Sequence, residues 1–205
     1  MRSIAFLSQK GGSGKTTLAV HTAVAAQEAR ERVVVIDTDP QKSAAVWSEA
    51  REAETPVVVT ASASELVKVL AAAEHDRITL AIVDTAPHTA PDAARVASLV
   101  DLLVIPVRPT AFDMAAVAGT VAMVQAVKAK AVLVLSACPS RSPEIAEARQ
   151  LLAGYGLPVF AGEITDRRAF ARAVASGRAV TEFESEGKAA QEIRSLWKWL
   201  KERTK

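Results

Sequence analysis

Residues 8–17 read SQKGGSGKTT, and the residue types and spacing in that run suit a loop that holds a polyphosphate. Gly11, Gly12 and Gly14 let the backbone turn its N–H groups inward around anionic oxygens, and a following helix adds the positive end of its dipole. Lys15 is spaced to reach the β- and γ-phosphates, the Thr16 hydroxyl to ligate Mg2+, and Ser13 and Thr17 to line the loop. The usual pattern has a glycine five residues before Gly14, but Gln9 stands there, with a second lysine, Lys10, beside it. A cation at that point would meet the charge that phosphoryl transfer to water spreads over the transferring and bridging oxygens.

Two further stretches carry acids. VVVIDTDPQ ends in Asp37 and Asp39, which point to one side if the chain stays extended. One then serves a metal shell and the other a water; taken alone, the pair better fits a solvated strand end beside a proline turn. LAIVDTAP is an apolar run ending in Asp84, the kind of acid that holds Mg2+ directly or through water. A strand followed by Asp is common, so the weight lies in the order of the three stretches.

These residues need elements to position them. Short β-branched runs predict strands at 3–7, 33–37, 57–60, 80–84, 102–107, 131–135 and 159–164. VVVI, LAIV, LLVI and VLVL lack polar alternation, as strands covered on both faces do. Between them, Ala-rich helical patterns fall at 15–29, 43–53, 64–72, 91–99, 114–128, 143–152, 167–175 and 188–202. Ser62 with Glu65 reads as a capping box, and Pro91 and Pro143 as first-turn residues. The alternation predicts an α/β fold: one domain over 1–205 with a mostly parallel, twisted sheet of about seven or eight strands. Helices should cover both faces, and ligands should sit outside the carboxyl ends of the strands.

Composition narrows the class. Of 205 residues, 50% are hydrophobic and 23% charged, as in soluble globular proteins, while 4% aromatics imply a core of Ala, Val, Leu and Ile. A single cysteine, Cys138, excludes an intramolecular disulfide framework and suits a reducing compartment. Charges interrupt every apolar run before it reaches membrane-spanning length, and MRSIAFLSQKGG lacks the long apolar region and cleavage site of a signal peptide, so a cytoplasmic location is expected. Residues 160–205 carry ten Lys/Arg against seven Asp/Glu, or +3, leaving −1 for the remainder.

KGGSGKTT, VVVIDTDPQ, AIVDTAP and IPVRPTAFD, in this order, resemble the ParA/MinD family of deviant-Walker-A P-loop ATPases over essentially the whole chain. The short length, with no N-terminal DNA-binding extension, looks most like the small ParA-type partition ATPases of plasmids. The resemblance implies ATP/ADP and Mg2+ as ligands, weak intrinsic ATP hydrolysis, and an ATP-dependent homodimer on the nucleoid. It also implies a ParB-type or other centromere-binding adaptor that stimulates turnover in DNA segregation. Lys10 matches the signature lysine that reaches across the dimer to the partner's nucleotide, and with Lys15 and Asp39 makes up the implied catalytic set. Residues 10–17 match the nucleotide loop, and Thr16, Asp37 and Asp84 the metal site, with Asp39 orienting the attacking water. Residues 106–113 match a stretch near the dimer interface. Residues 136–141 fall where the family often reads adenine, with a poor match here.

A ParA-like dimer would bind DNA without sequence preference through phosphate contacts. The candidates are Arg167, Arg168, Arg172, Arg178, Lys198, Lys201, Arg203 and Lys205, each of which alone also fits a solvated helix face. The alternative is a MinD-like membrane-associated or other cargo-positioning ATPase. In IRSLWKWLKERTK, residues Ile193, Leu196, Trp197 and Leu200 form the stripe of a docked helix, while Trp199 lies off it and argues for a partner or a lipid surface. A relation to the nitrogenase iron protein fails, because its intersubunit cluster needs two cysteines per subunit. The Gln9-Lys10 pair and DTDPQ weigh against a small-molecule ligase of the superfamily.

Overall fold

The computed structural model describes residues 1–87 and 90–204. In chain order the elements are β1 (Arg2–Phe6), α1 (Lys15–Glu28), β2 (Val33–Asp37), α2 (Ser43–Glu49), β3 (Val57–Thr60), α3 (Leu66–His75), β4 (Leu80–Asp84) and α4 (Ala90–Leu99). They continue with β5 (Leu102–Val107), α5 (Ala111–Ala126), β6 (Ala131–Leu135), α6 (Glu144–Ala153), α7 (Arg168–Ala175), α8 (Val180–Phe183) and α9 (Lys188–Arg203). The six strands form one sheet in the order β3-β2-β4-β1-β5-β6, and every pairing is parallel.

The period-2 geometry of a strand sends alternate side chains to opposite faces, and two apolar clusters result. Ile4, Phe6, Val33, Val35, Ile82 and Val104 pack beneath α1, α2 and the α7–α9 segment. Ala5, Leu7, Val34, Ile36, Val83 and Ile105 pack against α3, α4, α5 and α6. Burial on both sides explains the unbroken apolar runs. Cys138 belongs to the second cluster, and burial pushes its thiol up to about 12, so it is an inert core residue.

Register decides where the site lies. Asp37 of β2 stands opposite Asp84 of β4, and Asp84 stands opposite Phe6 of β1, at whose end the glycine-rich loop begins. The Thr38 N–H and hydroxyl both donate to the Asp84 carbonyl at 2.9 Å, and the Thr85 hydroxyl donates to the Phe6 carbonyl at 2.8 Å. Three strand ends are thus locked side by side at the carboxyl edge.

Several expectations change, among them the start of α5, which lies at Ala111 rather than at residue 114, and the span of α3, which is Leu66–His75 rather than 64–72. The sheet has six strands rather than seven or eight, because the segment expected as a strand over 159–164 meets β6 at a single isolated bridge, Leu133 with Val159, and the next bridge, Cys138 with Thr165, lies beyond both. Gly162 lies between them, where a Cβ would come within 2.8 Å of the Phe160 ring. The second helix stops at Glu49 rather than running to residue 53. Beyond it Arg51 donates from Nε to the Thr55 carbonyl (2.8 Å) and from Nη1 to Gly177 O (3.0 Å), while gripping the Glu182 carboxylate. Only half of the capping box forms: the Glu65 carboxylate accepts from the Ser62 N–H at 2.9 Å, but α3 begins at Leu66 with no side-chain cap. Pro143 is the N-cap of α6, one residue before its first turn.

Candidate functional site

The loop between β1 and α1 holds Gly12 at φ 73° and Gly14 at φ 96°, left-handed values at which any other residue would be strained. Gly14 is also the N-cap of α1 and offers no side-chain acceptor, so the first-turn N–H groups remain directed at whatever fills the loop. The Ser136 hydroxyl, at the end of β6, donates to the Ser13 carbonyl at 2.8 Å and ties the loop to the sheet. Lys15 is 6% exposed, and its Nζ donates to the Lys10 carbonyl at 3.2 Å, closing the loop on itself. Burial lowers the Lys15 pKa, against the opposing pull of Asp84 and Asp39. A polyphosphate would give this ammonium the counter-charge that its burial calls for.

The three acids share an edge but do different things. The backbone of Asp84 is pinned, yet both of its carboxylate oxygens are buried with no hydrogen-bond partner among the described residues. Burial first, then Asp37 and Asp39, push its pKa up to about 7; the nearby Thr16 hydroxyl and Lys15 oppose this without a formed hydrogen bond to either oxygen. A buried, partnerless carboxylate beside Thr16 fits a bound cation, and Mg2+ needs only one or two protein oxygens when phosphates and waters supply the others. Asp37, expected to join that shell, has its oxygens engaged elsewhere: Oδ2 accepts from the N–H groups of Ala44 (2.9 Å) and Ala45 (3.0 Å), and Oδ1 from Asp39 N–H (3.0 Å). It therefore caps the start of α2 from a distance and shapes the turn that presents Asp39. Asp39 Oδ1 accepts from Gln41 N–H at 2.8 Å, and its side chain lines a cleft of about 290 Å³ together with Gly11, Gly12, Gly14, Lys15, Thr16 and Thr17.

Lys10 does not point into its own loop. Its ammonium sits at the mouth, 30% exposed, and bonds Asp113 Oδ2 of α5 at 2.6 Å. The other oxygen of Asp113 accepts from Arg108 Nε at 3.1 Å. These charge-assisted bonds keep the Asp113 pKa low despite its burial. Phe112, beside them, is 82% exposed. The stretch 106–113 thus meets the deviant lysine.

A second cleft of about 290 Å³ adjoins the loop, between Gly12, Gly14, Thr17 and Leu18 on one side and Ser136, Ala137, Thr165, Asp166, Arg167, Phe170 and Val174 on the other. Its apolar floor and polar rim suit a planar base. Residues 136 and 137 were anticipated for this role; those from 165 onward were not, since they reach the cleft from a separate part of the chain. Backbone bonds place them there: Cys138 N–H donates to the Ile164 carbonyl (3.0 Å) and Asp166 N–H to the Cys138 carbonyl (2.8 Å).

The basic residues expected to meet nucleic acid are partly committed within the fold. Arg167 lines that cleft and pairs with Glu192 at 2.7 Å; Lys201 pairs with Glu31 at 2.9 Å; Arg178 donates to the Glu182 carbonyl at 2.9 Å. Arg172 lies over Phe183 at 5.4 Å and Arg203 over Trp199 at 3.8 Å. Arg168 and Lys198 are exposed, with no ion pair among the described residues, and Lys205 lies outside those residues. The docked reading of α9 holds: Ile193, Leu196, Trp197 and Leu200 are each at most 3% exposed. Trp199, the residue that pointed outward in sequence, packs on Phe160 at 5.3 Å beneath Arg203. Among the described residues, no helix is long and apolar enough to cross a membrane.

A family model described as the CobQ/CobB/MinD/ParA nucleotide binding domain matches residues 4–180. The chain is 34% identical over 207 residues to the Maintenance of carboxysome distribution protein A of Gloeobacter kilaueensis, covering 98% of this chain and 93% of that protein. It is 31% identical over 114 residues to Protein ParA of Rhizobium radiobacter, covering 55% of this chain and 51% of that one. In fold it resembles the septum site-determining protein MinD of Pyrococcus horikoshii in complex with Mg-ADP, with a TM-score of 0.78 at 15% identity over 97% of this chain and 95% of that one.

Proposed function

The chain belongs to the CobQ/CobB/MinD/ParA nucleotide-binding family, and on that premise we propose that it is an ATP-dependent dimerising switch that positions a cargo along DNA. The observation that carries this reading is the placement of Lys10. Lys15 already occupies the loop interior, whereas Lys10 stands at the mouth on Asp113, where a second copy docked on the loop can receive it. A monomer then lacks half of the charge clamp, hydrolysis waits for a partner, and ATP stabilises the dimer.

In this reading the loop N–H groups and Lys15 bind the β- and γ-phosphates, and the apolar cleft around Phe170 takes the base. Thr16 and Asp84 would hold Mg2+, which when bound neutralises charge on the phosphate oxygens. A cation held there would favour the ionised form of Asp84. Asp39 orients the attacking water, held in place by the turn that Asp37 braces. Lys10 from the partner copy meets the charge that develops on the transferring oxygens.

The cargo is read from the relatives. The Gloeobacter relative, matched over almost its full length, is named for carboxysome distribution, whereas Protein ParA matches about half of the chain. A large protein assembly is therefore the favoured cargo, ahead of a plasmid or chromosome, with nucleoid DNA as the track and an adaptor protein as the stimulator. Trp199 is half-buried, its ring packed on Phe160 and covered by Arg203, so the membrane-surface alternative loses the residue that had favoured it. ATP turnover measured alone, with non-specific DNA, and with DNA plus the adaptor encoded nearby tests the proposal. The expected result is weak basal activity and a large joint stimulation; no ATP-dependent dimer by gel filtration would overturn it.

A further inference from the structure

Arg108 has no part in the reading above, yet the structure sets it over the phosphate loop. It follows directly on β5, the strand paired with β1, so it emerges one strand away from the start of the loop. Its guanidinium reaches back across: a Cβ built on Gly12 would lie 3.9 Å from Arg108 Nη1. Only the inner nitrogen is anchored, with Nε on Asp113 Oδ1 at 3.1 Å. Among the described residues no acceptor meets Nη1 or Nη2, so the outer edge of the fork faces the loop mouth with its donors unused. The side chain is one-third exposed while its anchor is 3% exposed, which fixes the root of the guanidinium and leaves its edge accessible.

Asp113 has two oxygens and two cations, Lys10 on one and Arg108 on the other. A single buried carboxylate cannot neutralise both, so the cluster carries a net positive charge above a loop that already contains Lys15. An arginine fork matches phosphate oxygens in a way that a lysine does not. We infer that Arg108 is a phosphate-contacting residue of this site, its outer guanidinium edge taking oxygens of the terminal phosphate of a nucleoside triphosphate in the same protomer's loop, with Asp113 as the positioning residue that orients it. The inference rests on the nucleotide reading and deepens it. Arg108 distinguishes triphosphate from diphosphate, whereas Lys10 is offered to the second copy.

The test compares Arg108→Gln and Arg108→Lys with the wild-type chain, binding a non-hydrolysable ATP analogue and, separately, ADP, each with Mg2+. Arg108→Gln should weaken the triphosphate about tenfold or more and ADP by less than about threefold, with the nucleotide-free melting temperature unchanged. Arg108→Lys should recover part of the triphosphate affinity, because it restores charge without the fork. Asp113→Asn should reproduce the loss of triphosphate preference in milder form. Equal losses for both nucleotides, or none for either, would overturn the assignment. Wild-type protein that binds neither nucleotide would overturn the parent reading, and this one with it.

Discussion

Lowering the pH from about 7 to about 5 acts through two buried groups with opposite consequences for the nucleotide-free protein. His21, in the middle of α1, is fully buried against Phe170, and its Nδ1 accepts the Val180 N–H at 3.1 Å. Burial depresses its pKa from 6.5 to about 3, with Glu182 opposing. The unfolded chain takes up this proton as the pH falls through 6.5 and the folded chain does not. Stability complete above that value is therefore lost on acidification, by about 2 kcal/mol at pH 5. Asp84 runs the other way. Its folded pKa is about 7 against 3.8 unfolded, so the native state protonates first and gains about 2 kcal/mol over the same window. The two offset, and the wild type should look almost indifferent to pH. Urea titrations without nucleotide or Mg2+ would separate them. His21→Asn keeps an acceptor for Val180 and should gain about 2 kcal/mol from pH 7 to 5, whereas Asp84→Asn should lose about as much. Glu31, Asp113 and Glu182 have lowered pKa values, so their contributions are lost only at more acid pH. Two variants with the wild-type pH slope would refute the reasoning.

Gly177 sits at φ 64°, where a Cβ would lie 2.2 Å from the Ala50 carbonyl oxygen, so Gly177→Ala should cost about 3 kcal/mol, read as a lowered urea midpoint. Lys10→Ala should bind nucleotide almost normally yet fail to dimerise or show stimulated turnover; normal ATP-dependent dimers by gel filtration would sink the assignment. Asp39→Ala should bind ATP and dimerise but not hydrolyse, and phosphate release at the wild-type rate would show that its role is misassigned.

Five of the six strands were readable to the residue: two-sided burial leaves unbroken apolar runs in β2, β4, β5 and β6, and the partly exposed β3 is a β-branched run punctuated by turns. The sixth, β1, begins and ends one residue earlier than its pattern suggested. What escaped the sequence was non-local. The segment from Val159 looked like a strand by composition, but its pairing is interrupted around Gly162, a geometric fact that no local pattern carries. The four residues of α8 are too few for a helical period. Asp37 ends a strand, and nothing local announces that its oxygens accept from the N–H groups of Asp39, Ala44 and Ala45. The basic residues read as a cluster in sequence, but Glu192 and Glu31, distant along the chain, claim Arg167 and Lys201. The loop was legible because its chemistry is local; the base cleft was not, because residues near 137 and near 167 meet only in the fold.

Resemblance and stability have different boundaries in this chain. The family match ends at residue 180, the residue whose N–H is held by His21, and before α9 begins. Yet α9 lays Ile193, Leu196, Trp197 and Leu200 into the cluster that also buries α1. At about 1.5–3 kcal/mol for each large apolar side chain, the four together rival the about 5–15 kcal/mol that keeps a domain folded. A chain cut where the match stops would keep the glycine-rich loop and both clefts beside it, and lose the wall against which the loop's own helix rests. The smallest unit able to bind is therefore longer than the smallest unit that can be recognised.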